Sequence, residues 1–572
     1  MVNLIIDGKN VTVENGITIL EAARSAGINI PTLCYLKDIN EIGACRVCVV
    51  EIEGNANLCA ACNTQAEDGM VIYTNSPRVR TARRINLELI LSAHNTNCTS
   101  CVRNGNCTLQ TLCRDLNITD IPFEVTYKKK KWDTSIPLIR DREKCVKCMR
   151  CISVCEKVQG LGVWDIVGTG HRTTVGIRGT TDFNATKCAL CGQCITHCPV
   201  GALHERDDTR NLLDALGDPD KIVIAQVAPA VRTAWGEDLG LTREQATVGK
   251  MVSALRTIGF DYVFDTDFAA DMTIMEEGSE LLERLSHKED YSWPMFTSCC
   301  PGWIRFLKHE YPEFTKNLSS AKSPQQMFGS IAKTYFAKKL GVDAEKIVCV
   351  SIMPCIAKKY EADVPQVSSV SEKDVDIVLT TREICRMLRS GGLDFAKIQE
   401  SEFDAPLGLG TGAGVIFGTS GGVMEAALRS AHYLVTGENP DADKFSAVRG
   451  MDGWKERTVQ VGDATLNVAV TNGLANARRL IEAIKAGKVS YDFVEIMACP
   501  GGCVGGGGQP IRDGQELAAE RSKTLRNLDS ASVIRFSHEN PFIKTVYEEY
   551  LEKPNSHIAH ELLHTSHQEW DI

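Results

Sequence analysis

The sequence predicts a multidomain chain, with small cysteine-rich α+β modules in front and one large α/β domain behind. Three observations predict it. At 572 residues the chain exceeds what one hydrophobic core organises. Its 24 cysteines crowd into tight C-x2-C groups before residue 200 and into a few islands beyond, with long cysteine-poor stretches between. In the C-terminal part, the apolar runs KIVIAQVA, KIVCVSIM and VDIVLTT alternate with helical stretches, the pattern of an α/β domain.

The elements follow in order. NLIID, GK and NVTVE read as strand, turn, strand, and TILEAARSAG as an amphipathic helix closed by glycine. This suits a ferredoxin-like β-grasp domain over 1–78. Residues 79–126 form a second, largely helical domain, in which RTARRINLELILSAH leads into a cysteine group. Lys128–Lys131 and Trp132 read as a surface linker, a solvated charge run being favoured over a basic docking site. A third domain, 127–209, holds eight cysteines in two copies of one pattern. DDTRNLLDALGDPDK then bridges into the large domain, 210–572.

Composition narrows the function classes. Apolar content is 43%, charged content 24%, and 63 basic residues stand against 73 acidic, giving −10. That balance argues against nucleic acid or an anionic membrane as a partner. No run approaches a membrane span, and MVNLIIDGKN lacks the features of a secretory leader. The expected location is the cytoplasm, where cysteines serve metal sites rather than disulfides.

Cys34, Cys45, Cys48 and Cys62 form C-x10-C-x2-C-x13-C, four thiolates on loops, as a [2Fe–2S] cluster requires. The spacing resembles the N-terminal domain of the large iron–sulfur subunit of respiratory complex I and of [FeFe]-hydrogenases. Cys59 is expected to be a buried thiol, not a ligand. His94, Cys98, Cys101 and Cys107 form H-x3-C-x2-C-x5-C. A zinc site is one reading. Position among electron carriers favours a [4Fe–4S] cluster with one histidine ligand, as in both resembled families. Cys113 stands outside this pattern. Cys145, Cys148, Cys151 and Cys155 give C-x2-C-x2-C-x3-C, repeated by Cys188, Cys191, Cys194 and Cys198 before Pro199. In this bacterial two-cluster ferredoxin pattern the fourth cysteine of each run serves the other cluster. One [4Fe–4S] cluster then takes Cys145, Cys148, Cys151 and Cys198, and the other Cys155, Cys188, Cys191 and Cys194. Cys349 and Cys385 read as core thiols.

Three islands remain: TSCCPGW (297–303), MPCIAKKYEAD (353–363) and MACPGGCVGGGGQP (497–510). In order and spacing they match the motifs of [FeFe]-hydrogenases, and with the upstream clusters the resemblance spans essentially the whole chain. It implies that Cys300, Cys355, Cys499 and Cys503 hold the [4Fe–4S] part of an H-cluster. Cys503 would also bridge to a di-iron unit carrying CO, cyanide and an azadithiolate. Lys358 would donate to a cyanide. Pro229, Ala230 and Pro354 would contact other diatomic ligands, and Gln325, Met353, Phe417 and Met497 would line the cavity. Many relatives carry serine where this chain has Ala230, so a side-chain hydroxyl contact to cyanide is not expected here, while a backbone N–H contact could remain. Cys299 would be the proton donor, with Glu277, Ser319, Glu280 and Arg284 continuing the path to solvent. TIMEEGSELLERL reads as a helix with 277, 280 and 284 on one face. Without the resemblance, a surface salt-bridge stripe would be the preferred reading. GGCVGGGGQ lacks the GK[ST] of a phosphate loop, and its glycines suit close backbone approach to a cluster.

The implied reaction is the interconversion of H2 with protons and electrons. GACRVCVVEIEG and HELLHT resemble catalytic subunits of NAD(P)-linked, electron-bifurcating hydrogenases, which implies flavin- and NAD(P)-binding iron–sulfur subunits, ferredoxin and maturation proteins as partners. The alternatives are a stand-alone ferredoxin-dependent hydrogenase, a complex I-type subunit, an H2 sensor or an iron–sulfur assembly relative. The three C-terminal islands count against a complex I-type subunit. Cys299, Lys358 and Cys503 together count against an assembly role, and a sensor would be expected to carry a signalling domain.

Overall fold

A computed structural model describes residues 1–127, 131–513 and 515–569; Lys128–Lys130 of the expected linker lie outside the described residues. The chain divides into two compact units. One holds residues 1–158, 162–186 and 197–204; the other holds 159–161, 187–196 and 205–572.

The first unit opens on a five-stranded mixed sheet. Its order is Lys9–Val13, Val2–Ile6, Val71–Tyr73, Val49–Ile52, Cys59–Ala60, with Val2–Ile6 and Val71–Tyr73 parallel. Val2, Leu4 and Ile6 alternate inward with Val11 and Val13, so one face is a core. The helix Ile19–Ser25 covers that face, and the Thr18 side chain accepts from Glu21 N at its start. Three details differ from expectation. The first turn is Asp7–Gly8, at φ 47° and 80°, and Lys9 already belongs to the second strand. A two-residue hairpin loop favours positive φ at both positions, which Gly–Lys would supply less readily. Cys59 is half-buried rather than buried, because it lies on an edge strand with one side open. Trp132 is half-buried and packs against Trp164 and Phe183, its Nε1 donating to Leu138 O at 2.8 Å. A large apolar ring with one polar atom does better there than in water.

The second unit is built on two four-stranded sheets. One is wholly parallel, in the order Tyr262–Asp265, Ile222–Val227, Ile347–Met353, Ile377–Thr380. The other runs Met295–Phe296, Phe493–Met497, Ala464–Asn472, Trp454–Val461, and only the last strand is antiparallel to its neighbour. The inner strands are near-continuous apolar runs, as parallel strands covered on both faces must be. The one charged residue in these three strands, Glu495, accepts from Gly421 N and Met424 N at the start of the helix Gly422–Thr436. The helix Thr266–Ser286 begins at Asp265, whose side chain accepts from Asp267 N, and is buried along most of its length.

Candidate functional site

The three cysteine islands sit just beyond the carboxyl ends of parallel strands, where α/β sheets place their ligands. Cys299 and Cys300 follow Met295–Phe296, and Cys300 precedes the helix Pro301–Glu310. Cys355 follows Ile347–Met353; Cys499 and Cys503 follow Phe493–Met497. Pro229 and Ala230 open a short turn after Ile222–Val227. Cys300, Cys355, Cys499 and Cys503 are brought together. Burial pushes Cys499 well above the ordinary thiol range, and charge on Cys355, Cys191, Cys300 and Cys503 pushes it further. Cys503 is likewise raised by burial and then by Cys300 and Cys355, and Cys355 by burial and then Cys300. A cation bound among four such thiols would displace their protons and make the thiolates ligands.

Among the described residues, the one group of three or more donors within 4.8 Å of one another is Glu425, Asp443 and Asp529, which contains no cysteine. A single zinc at about 2.3 Å from each sulfur would draw its ligands closer than that. The wider spacing suits an iron–sulfur cluster. The loops close on one another through backbone: a Cβ on Gly506 would lie 2.1 Å from Pro354 O, on Gly508 2.8 Å from Cys355 N, and on Gly507 2.4 Å from Cys191 O. The loop carrying Cys188, Cys191 and Cys194 is held here too. Gln193 Nε2 donates to Gly505 O at 2.8 Å and Arg305 Nε to Cys188 O at 3.1 Å.

The neighbouring cysteines diverge. Cys300 packs with Trp303 and Ile496, and Ala498 N donates to its Sγ at 3.5 Å. Cys299 packs in another apolar group, with Phe417, Met497 and Cys503. Ala230 joins Cys503 in a third, and its carbonyl accepts from Gln509 Nε2 at 2.9 Å. Met353 belongs to the core of the parallel sheet, and Pro354 O accepts from Gly508 N at 2.8 Å. Lys358 is buried and donates to Cys299 O at 3.1 Å and to Glu361 Oε2 at 2.8 Å. Burial disfavours its charge, but Glu361 outweighs that and leaves its pKa raised. Glu361 also accepts from Ser323 Oγ at 2.9 Å and Gln325 Nε2 at 3.1 Å, and Ser351 Oγ donates to Gln325 Oε1 at 2.9 Å.

The acidic stripe on Thr266–Ser286 is no surface feature. Glu277, Glu280 and Arg284 are 1%, 9% and 6% exposed. Ser319 Oγ donates to Glu280 Oε2 at 2.6 Å; Arg284 donates to Glu280 and, at 2.9 Å, to Leu318 O. Neither oxygen of Glu277 is hydrogen-bonded to any of the described residues. Burial raises its carboxyl to about 8, helped by the charge of Glu280 and only partly offset by the nearby Ser319 hydroxyl and Ser298 backbone. Cys299 is raised by burial first and by Glu277 second, which places those two groups near each other. A carboxyl raised to about 8 can take up and release protons in the neutral range.

The first unit gathers three further cysteine sets. Cys34 is close enough to Cys45 and Cys62 to share protons with them, as Cys48 is with Cys62. Cys145, Cys148, Cys151 and Cys198 line one small cavity with Arg140. His94, Cys98, Cys101 and Cys107 line another of about 480 Å³, and His94, 7% exposed, has an Nδ1 without a hydrogen-bond partner. Burial lowers that imidazole to about 4, which leaves it neutral at pH 7. The sets adjoin through backbone. Asn40 Nδ2 donates to Cys34 O at 2.6 Å and Cys148 O at 3.1 Å, and Arg103 donates to Cys198 O at 3.4 Å. Of the second ferredoxin set, Cys155 lies in the first unit and Cys188, Cys191 and Cys194 in the second, so their grouping rests on sequence register alone.

Comparison with known proteins agrees with this chemistry. Residues 221–507 match the family "Iron only hydrogenase large subunit, C-terminal domain", and residues 515–570 "Iron hydrogenase small subunit". The "NADP-reducing hydrogenase subunit HndD" of Solidesulfovibrio fructosivorans is 49% identical over 99% of this chain and 98% of its own. The chain belongs to the [FeFe]-hydrogenase family. As an [FeFe]-hydrogenase it is an oxidoreductase acting on H2, with accessory iron–sulfur domains. Those match a "2Fe-2S iron-sulfur cluster binding domain" (1–77), an "NADH-ubiquinone oxidoreductase-G iron-sulfur binding region" (83–122) and a "4Fe-4S dicluster domain" (144–202). "Iron hydrogenase 1" of Clostridium pasteurianum is 40% identical over 99% of both chains. Apo [FeFe]-hydrogenase HydA1 of Chlamydomonas reinhardtii matches in structure with a TM-score of 0.57 and 45% identity, over 63% of this chain and 98% of that one. Among the described residues of this hydrogenase, no helix is long and apolar enough to cross a membrane.

Sequence reasoning passed over several residues of the site. Glu361 stands three residues after Lys358, a spacing that signals a helical ion pair. Asn40, Gln193 and Ser323 act through backbone or across long sequence gaps and left no such trace. Cys113 lines the His94 cavity despite standing outside its motif.

Proposed function

We propose that the chain is the catalytic subunit of an NAD(P)- and ferredoxin-linked [FeFe]-hydrogenase complex in the cytoplasm. One observation carries the catalytic part: four thiols from three distant loops converge beyond the strand ends, beside a buried lysine and a buried acid. In this reading Cys300, Cys355, Cys499 and Cys503 would hold the H-cluster, and Cys503 would also hold its di-iron unit, which would carry CO, cyanide and azadithiolate ligands. Such a cluster supplies the metal site at which H2 and protons interconvert.

The chain's own groups do the rest. Lys358 presents an ammonium fixed by Glu361 to the anionic ligands. Pro229, Ala230 and Pro354 present backbone to the same pocket. Gln325, Met353, Phe417 and Met497 close it and exclude water. Cys299 holds a proton at its sulfur and passes it to Glu277, from which Ser319, Glu280 and Arg284 lead outward. Electrons travel through one [2Fe–2S] and three [4Fe–4S] clusters. These lie in a β-grasp domain (1–78), a domain with one histidine and three cysteine ligands (79–126) and a two-cluster ferredoxin domain (127–209), with 210–572 catalytic. The likeness to the S. fructosivorans subunit along nearly its whole length supports flavin- and NAD(P)-binding partners; the C. pasteurianum relative keeps a stand-alone, ferredoxin-dependent enzyme as the second reading.

Anaerobic purification from the native source tests both parts. Metal-carbonyl and cyanide infrared bands, together with H2-dependent NAD(P)+ reduction by a multisubunit species, are expected. A lone polypeptide fully active with ferredoxin would overturn the complex. A maturase-treated chain without metal-carbonyl bands would overturn the H-cluster.

A further inference from the structure

The cavity behind His94 holds one donor more than a cubane uses. His94, Cys98, Cys101, Cys107 and Cys113 all line it, along with Leu91, Leu109 and Ile121. Cys113 lies on the helix Thr108–Asp115, which starts directly after Cys107. Cys107 and Cys98 are near enough for their charge to bear on it. The space measures about 480 Å³, and Cys113 shares its wall with the four donors of the motif. His94 is 93% buried and its Nδ1 meets no partner, so the imidazole is held at the cavity wall without a hydrogen bond at that nitrogen. The half-buried Cys113 is not committed to a disulfide or to another cysteine set.

We propose that Cys113 is an alternative fourth ligand of this accessory cluster, able to take the iron that His94 holds. The inference rests on the reading that His94, Cys98, Cys101 and Cys107 bind a [4Fe–4S] cluster. In the exchange an iron–nitrogen bond breaks, an iron–sulfur bond forms, and the thiol proton leaves to solvent; the freed imidazole stays neutral and no electron moves. Three thiolates and one imidazole become four thiolates, so the cluster gains one negative charge and its potential falls. One site then offers two potentials without any change in the other ligands. The neutral ring is the weaker anchor of the two, and the thiol has to lose its proton to compete, so histidine ligation prevails in the resting chain.

The test uses the full-length chain with its clusters, prepared anaerobically as the parent, His94→Ala, His94→Cys, Cys113→Ser and the double variant His94→Ala/Cys113→Ser. Iron content, electron paramagnetic resonance of the reduced cluster and its potential are measured. Iodoacetamide labelling read by mass spectrometry reports which thiols are bound. In the parent, Cys113 should label while Cys98, Cys101 and Cys107 stay protected. In His94→Ala the cluster should persist, its signal and lowered potential should match those of His94→Cys, and Cys113 should become protected. The double variant should lose about four irons. Loss of the same iron from His94→Ala alone, or continued labelling of Cys113 there, overturns the proposal. If His94→Ala does not accumulate, His94→Gln is read by the same criteria, and failure of both to hold the cluster also counts against it. A parent without a cluster at Cys98, Cys101 and Cys107 instead overturns the underlying reading.

Discussion

Replacing Glu277 by glutamine separates a buried proton carrier from an inert carboxylate. Burial, with Glu280 close by, raises this carboxyl from an ordinary 4.5 to about 8. At pH 7 roughly nine in ten molecules therefore carry the proton, where an unperturbed carboxyl would have released it almost entirely. Because the folded value lies above the unfolded one, the folded chain holds a proton that the unfolded chain gives up between about pH 4.5 and 8. Stability owed to this residue is full below that window and falls as pH rises through it. At about 1.36 kcal/mol per pH unit, the loss over the whole window is on the order of 5 kcal/mol. Glu277→Gln keeps the shape and removes the titration, so its stability relative to the parent should grow with pH across the window. The direct assay is an infrared titration. The parent should show a protonated-carboxyl band that disappears with a midpoint near pH 8, absent from the variant, and the variant should lose at least tenfold in H2 turnover. A parent midpoint near the ordinary carboxylate value, or a band that survives in Glu277→Gln, would show that the reasoning about this site is wrong.

Three further outcomes follow from the same geometry. Lys358→Met strands Glu361 as a buried charge and should cost about 3–5 kcal/mol in thermal or denaturant unfolding, with part recovered in Lys358→Met/Glu361→Gln; equal stability of the single variant and parent refutes this. Ser319→Ala removes the 2.6 Å bond to Glu280, should change stability by only about 1 kcal/mol, and should slow H2 turnover more than tenfold; turnover within twofold of the parent removes Ser319 from the path. Gly506→Ala would set a Cβ 2.1 Å from Pro354 O, an overpacking of about 1–3 kcal/mol or more. Iron analysis should show the catalytic cluster lost and the accessory clusters kept, and a full iron complement would contradict the close approach.

Much of the fold was legible because its signals are local. The strands Ile222–Val227, Ile347–Met353 and Ile377–Thr380 are continuous apolar runs bounded by charge or helix starts. The cysteine groups announce themselves by spacing, and their thiols do gather, Cys34 with Cys45, Cys48 and Cys62, and Cys145 with Cys148, Cys151 and Cys198. What stayed hidden depends on distant partners. Spacing of 277, 280 and 284 fits a solvated face as well as a buried one; only Ser319, Leu318 and the enclosing strands make it interior. Residues 187–196, which lie within the dicluster match over 144–202, group by contact with the larger unit, and their main chain lies against Gly505–Gly507. The roles assigned to single residues came from family resemblance, since no periodicity distinguishes Met353 or Met497 from ordinary core.

That glycine contact has a consequence for electron flow. Where Gly507 meets Gly192 and the Cys191 carbonyl, two main chains touch and no side chain intervenes. In the proposed electron path the tunnelling gap across this seam is set by peptide geometry, and a side chain added at Gly192 or Gly507 would force the two main chains apart. Selection that tunes the pace or direction of current through the seam must act on the energies of the two ends, through charge and hydrogen bonds to sulfur, while the span stays constant.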